Sequence, residues 1–139
     1  MAGVDSLVRA MLREKLLTLT SVPPVAWEGY EYTPVVGTTY FRETLNLQDQ
    51  RVTSLGRYAR LKHEGVWMLD IYTPGNKGLA LADDWADKVK THFAPGTVLT
   101  KSGTTLRFSR AFAGPALTSP QWTMRPCMID WFTESTNTA

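Results

Sequence analysis

The chain carries a single cysteine, Cys127, which excludes an internal disulfide framework and any cysteine-rich zinc site. Histidine is almost as scarce. His63-Glu64 is followed by Gly65-Val66-Trp67 rather than by a second histidine one helical turn on, so the zinc-protease pattern fails. No Gly-x-Gly-x-x-Gly, Walker loop or Gly-x-Ser-x-Gly occurs, which removes the usual signatures of dinucleotide binding, phosphate cradling and hydrolase nucleophiles. Apolar runs are only a few residues long, too short to cross a bilayer as a helix. Neither charge sign dominates: 15 lysines and arginines against 13 acids leave +2, which by itself does not mark a nucleic-acid binder. The first five residues show neither a charged n-region nor an apolar h-region. The expectation is a soluble protein made inside a cell.

What the chain does have is ordinary globular composition: 43% hydrophobic, 20% charged and 11% aromatic residues. That argues against disorder, collagen and coiled coil. A length of 139 residues suits one domain with a two-layer core. Leu7, Val8, Met11, Leu12, Lys15, Leu16 and Leu19 follow helical spacing with Arg9, Arg13 and Glu14 off the stripe, which predicts a helix from Asp5 or Ser6 to Thr18. Pro23-Pro24 ends it. Residues 40–47 alternate as a strand, with Phe41, Glu43, Leu45 and Leu47 on one side, although Glu43 interrupts that side's apolar character. Residues 48–56 are polar and read as a projecting loop, and 57–64 as a solvent-exposed extension of the strong strand at 66–72. A second helical stripe, Leu79, Ala82, Trp85, Ala86, Val89 and Phe93, precedes Pro95-Gly96. Short strands are expected at 97–100, 104–112 and 122–132, and a frayed tail at 134–139.

The predicted order is α-β-β-α-β-β-β. It describes an α+β fold: a mostly antiparallel sheet with two amphipathic helices packed on one face. Its core is expected to rest on Trp67, Leu69, Ile71, Leu79, Trp85, Val89 and Phe93.

The candidate chemistry is thin. His92 falls at a predicted helix C-terminus, where positive charge is favourable. Cys127 lies between Pro126 and Met128 in an apolar strand, a structural setting rather than a reactive one. Asp83, Asp84 and Asp87 share a helical face; a solvated acidic surface is the plainer reading than a divalent-cation site. No residue recommends itself as a catalyst, so the reading is a non-enzyme without cofactor or metal. Basic residues do cluster at Arg51, Arg57, Arg60 and Lys62 with Tyr58 interleaved. That pattern fits either a single-stranded nucleic-acid stripe or contact with an acidic protein surface, the latter favoured by the low net charge. The early aromatics Trp27, Tyr30, Tyr32, Tyr40 and Phe41 either form an interface or cap the open sheet face.

Taken in order, several segments carry a resemblance. They are Pro23-Pro24-Val25-Ala26-Trp27-Glu28 after an amphipathic helix, Tyr32-Thr33-Pro34, Thr39-Tyr40-Phe41-Arg42, Gly56-Arg57, the run from Gly65 to Thr73-Pro74, the helix at 79–93, and Gly114-Pro115 ahead of Trp122. Over nearly its whole length the chain resembles the small tail-terminator, or minor tail, proteins of long-tailed bacteriophages.

The resemblance implies a single tail-terminator-like domain over 1–139 that forms a hexameric ring. That ring would cap the head-proximal end of the tail tube, stop tube polymerisation and join the tail to the head connector. Its partners would be other copies of itself, the tail tube protein and the head–tail connector protein, with genome DNA passing through the lumen without sequence-specific binding and no membrane involved. The protein would be made in the host cytoplasm and reside in the virion tail. The alternatives are another neck or tail-tube ring protein, or a small single-stranded nucleic-acid-binding domain. For a head-to-tail ring the expected intersubunit contacts join a basic arm at 48–64 (Arg51, Val52, Leu55, Arg57, Tyr58, Arg60 and Lys62) to Asp83, Asp84 and Asp87 of the next copy.

Overall fold

The structure, a computed structural model, describes residues 4–52 and 60–136, with side chains over 6–46 and 63–133. The elements are α1 (Val4–Leu17), β1 (Val25–Ala26), β2 (Tyr40–Val52), β3 (Arg60–Pro74), α2 (Ala80–His92), β4 (Val98–Lys101), β5 (Thr104–Ala113), β6 (Leu117–Thr118) and β7 (Trp122–Thr136). The expected α+β order holds, with the short strands β1 and β6 added. The strands make one curled sheet in the order β1-β2-β3-β7-β5-β4, with β6 paired to β7. Every pairing is antiparallel except β1 with β2.

Period-two alternation decides which sheet face is apolar. Phe41 lies opposite Ile71, and Leu45 opposite Trp67. Trp67 faces Ile129 and Leu69 faces Cys127 across the next ladder, while Phe108 pairs with Trp131. These side chains are buried together with Val8, Met11, Leu12 and Leu16 of α1, Ala86 and Val89 of α2, and Phe93 at the C-cap of α2 in one cluster. The α1 stripe predicted from spacing is therefore the one that packs. The helix closes with Thr18 and Leu19 donating back to the carbonyls of Lys15 and Leu16, ahead of the proline pair.

Gly65 is in register with Trp131, and the Cβ it lacks would collide with its neighbours. A Cβ at Gly65 would lie 2.7 Å from the Trp131 ring and run into the Asn46 carbonyl oxygen. The glycine is thus required by the Asn46 backbone on one side and by the Trp131 ring on the other.

Four expectations are corrected. Residues 48–52 are not loop but the end of β2, with Gln50, Arg51 and Val52 in register with His63, Lys62 and Leu61 after a bulge between Leu47 and Gln50. Residues 134–136 do not fray but continue β7 alongside Lys62, Leu61 and Arg60. The reason is common to both: ladder hydrogen bonds need only backbone, so a polar segment becomes strand when a partner strand lies beside it. Leu79 leaves the core, 45% exposed; it sits at the N-cap of α2, a residue before the helical stripe begins. Trp85 is half-buried rather than buried, its ring edge-on to Phe41 at 5.4 Å with the Lys88 ammonium 4.5 Å over it.

Candidate assembly surfaces

Within the segment expected to form the arm, the described residues continue β2 and β3, with the end of β7 beside β3. Arg51 is in register with Lys62 and Lys62 with Glu134; Val52 is in register with Leu61 and Leu61 with Ser135; Arg60 with Thr136. Leu55, Arg57 and Tyr58, also expected at the contact, lie outside the described residues. The structure brings Arg51, Val52, Arg60 and Lys62 onto adjacent strands, which spacing along the chain did not require.

The acidic helix face is less uniform than its sequence. Asp83 pairs with Arg125 of β7. Asp87, with its side chain 74% exposed, lies 3.4 Å from Lys90 one turn on. Asp84 is exposed. Among the described residues no group of three or more histidine, cysteine or acidic side chains is placed to hold a metal ion.

His92 does end α2, and it ties the two helices together: its Nε2 lies 2.6 Å from the Lys15 carbonyl and 2.9 Å from Thr18 Oγ1. The carbonyls of a last helical turn lack intrahelical partners, so an imidazole N–H there closes the C-terminus of α1. Cys127 is fully buried, and burial pushes its thiol pKa up to about 11, which makes it inert at neutral pH.

A buried polar network was not anticipated. Glu43, 2% exposed, accepts from Arg13 Nε at 2.5 Å, from Trp67 Nε1 at 3.0 Å and from the Glu28 backbone N–H at 3.2 Å. Arg13 also donates to the Glu28 carbonyl at 3.1 Å, and its guanidinium lies 5.2 Å over the Trp27 ring. The Glu28 carboxylate takes Arg9 at 3.1 Å and the Leu45 N–H at 3.2 Å. The only hint in the sequence was a glutamate on an otherwise apolar strand face.

On the opposite sheet face the early aromatics divide. Tyr40 is buried, stacked on Tyr72 at 4.6 Å and met edge-on by Trp122 at 5.2 Å, with Tyr32 5.0 Å away. Phe41 enters the core, whereas Tyr30 stays 71% exposed. On this face burial raises the Asp70 carboxyl above its usual range, opposed by the neighbouring Arg42 guanidinium. Burial also raises the Tyr72 phenol, helped by the Asp70 charge.

None of these surfaces is a catalytic constellation; they are polar struts, an extended sheet and exposed loops. Residues 7–131 match the phage tail terminator protein family. The chain belongs to that family. It is accordingly a structural protein of the phage tail, and its family is a structural rather than an enzymatic one. No curated protein matches the chain. A solved structure that carries no descriptive name covers 95% of this terminator-family chain and 96% of its own, with a TM-score of 0.75 at 19% identity. At that identity the likeness establishes the fold alone.

Proposed function

We propose that this terminator-family protein closes into a hexameric ring at the head-proximal end of the tail tube, stops tube polymerisation and presents a face to the head connector. Family membership over 7–131 carries this reading. Genome DNA would pass through the lumen without sequence-specific contacts. Synthesis would occur in the host cytoplasm before incorporation into the virion.

The extended strand ends support the ring. A head-to-tail assembly needs two different surfaces on each copy, and the paired ends of β2, β3 and β7 near 50–52, 60–62 and 134–136 offer a candidate for one of them. Arg51, Val52, Leu55, Arg57, Tyr58, Arg60 and Lys62 are proposed to meet α2 of the next copy. Asp84 is the acid left most available there, since Asp83 is engaged by Arg125 and Asp87 lies 3.4 Å from Lys90. Exposed ion pairs contribute only about 0–1 kcal/mol each, so they set register and leave most of the adhesion to apolar contact.

The test has two arms. Light scattering on the purified chain is expected to give the mass of six copies. Tails assembled without the protein are expected to show tubes of uncontrolled length under the electron microscope, with the added protein restoring uniform, head-competent tails. A chain that stays monomeric at every concentration, or tails of normal length without it, overturns the proposal.

A further inference from the structure

We infer that the loop at 29–38 of one copy docks into the groove between the C-terminal ends of α1 and α2 of the next. This rests on the ring reading above and names a contact within it.

The loop is held in shape yet left uncovered. Two turns brace it, closed by Tyr30 N–H on the Trp27 carbonyl and Thr38 N–H on the Val35 carbonyl, both at 3.1 Å. Gly29 and Gly37 supply the left-handed backbone at φ +90° and +91°. Tyr32 anchors the middle against Tyr40. From this frame Tyr30, Val35 and Val36 project with 71%, 60% and 65% of their surfaces exposed. Apolar surface displayed by a braced loop has no folding role to explain it, and bracing lowers the entropy lost on docking. The segment 27–41 contains two glutamates and no lysine or arginine. Glu28 is paired with Arg9, which leaves Glu31 exposed as the loop's outward charge.

The groove is complementary. It has a volume of about 710 Å³, and Lys15, Leu19, Asp87, Lys88, Thr91 and His92 are among its walls. Neither Lys15 nor Lys88 has a carboxylate partner among the described residues; the Lys88 ammonium sits over Trp85. The Asp87 charge is offset by Lys90, and His92 is occupied by the end of α1. Leu19 and the lysine stems offer apolar surface to the two valines, and the lysine heads offer charge to Glu31.

Position completes the case. The loop leads into β2, beside β1 at one end of the strand order. The groove also includes Thr97, which precedes β4 at the other end. Loop and groove are separate exposed surfaces of one copy, and a head-to-tail relation between copies can bring one against the other. The groove lies on α2, the same helix proposed to receive the arm, so the two contacts are continuous.

Mixing two full-length single-site variants tests this directly. V36C and T91C place thiols on the exposed loop and in the groove wall, and the native Cys127 is buried. A short bismaleimide is expected to give crosslinked dimer from the mixture and little from either variant alone. The V35D/V36D double variant should keep the wild-type thermal melt and assemble at least tenfold more weakly. E31K should weaken assembly, and K88E in the same chain should restore part of it.

Full rings without crosslinked dimer, together with full assembly of V35D/V36D, overturn the docking and leave the ring standing. A wild-type chain that never assembles overturns both. Loss of tube binding by V35D/V36D with ring mass unchanged assigns the loop to the tube protein instead.

Discussion

Arg13 and Glu43, 30 residues apart, form the ion pair that joins α1 to β2 beneath the core, with the Glu43 side chain 1% exposed and that of Arg13 25% exposed. A buried carboxylate is tolerated only when its lone pairs are filled. Here the guanidinium, the Trp67 indole N–H and the Glu28 amide fill them.

Removing Glu43 strands three donors at once. E43A is expected to lose about 3–5 kcal/mol, the usual cost of breaking one side of a buried pair. E43Q should lose less, because its amide oxygen still accepts from Trp67. Urea unfolding followed by tryptophan fluorescence measures both, and an E43A midpoint equal to wild type would show that the network adds nothing.

Gly65 is expected to resist even alanine. A Cβ 2.7 Å from the Trp131 ring overpacks a site with no slack, a kind of change that costs about 1–3 kcal/mol. The G65A thermal melt should fall accordingly. A G65A chain as stable as wild type would mean that both the Asn46 backbone and the Trp131 ring shift freely.

Cys127 should behave as a reporter of folding. With its pKa at about 11 and its side chain sealed in the core, it is expected to resist maleimide at neutral pH and to react at once in denaturant. Fast labelling of the native chain would contradict the burial. Its folded pKa lies above the ordinary value, so the neutral thiol is favoured in the fold, and its contribution to stability is lost as pH rises from 9.0 toward about 11.

Asp70 follows the same sign at lower pH. Burial raises its folded pKa above 3.8, so the folded state holds the proton more tightly than the unfolded one. The resulting stability is present below the ordinary carboxylate pKa and is lost as pH rises through the folded value. D70N is therefore expected to stabilise the chain at neutral pH and to make no difference under strongly acidic conditions. A loss at neutrality would show that attraction to Arg42 outweighs desolvation, and equal gains at both pH values would show that the effect does not come from Asp70 ionisation.

Reversing Arg57 and Arg60 to glutamate tests the arm. With about 0–1 kcal/mol per exposed pair, ring assembly is expected to weaken by up to about tenfold at low salt, and less at high salt where charges are screened. The melting temperature of the subunit should stay where it was. Full rings at low salt would remove the arm from the contact.

Both helices and the central strands were legible because their signals are local. Val8, Met11, Leu12 and Leu16 recur at helical spacing, and Trp67, Leu69 and Ile71 at strand spacing, so the buried face of each element is written within it. Leu79 shows the limit of that rule: it continues the α2 stripe in sequence, yet it stands at the N-cap and turns outward. Elements whose stability comes from a partner were hidden. Residues 48–52 and 134–136 have no apolar alternation, and they became strand because β3 runs between them and supplies ladder bonds on both sides. The Arg13–Glu43 pair was hidden for the same reason, since each residue alone looks like an exposed charge or a flaw in a pattern. Periodicity along the chain reports which side of an element avoids water; it does not report which distant backbone or charge will lie beside it, and tertiary packing alone decides that.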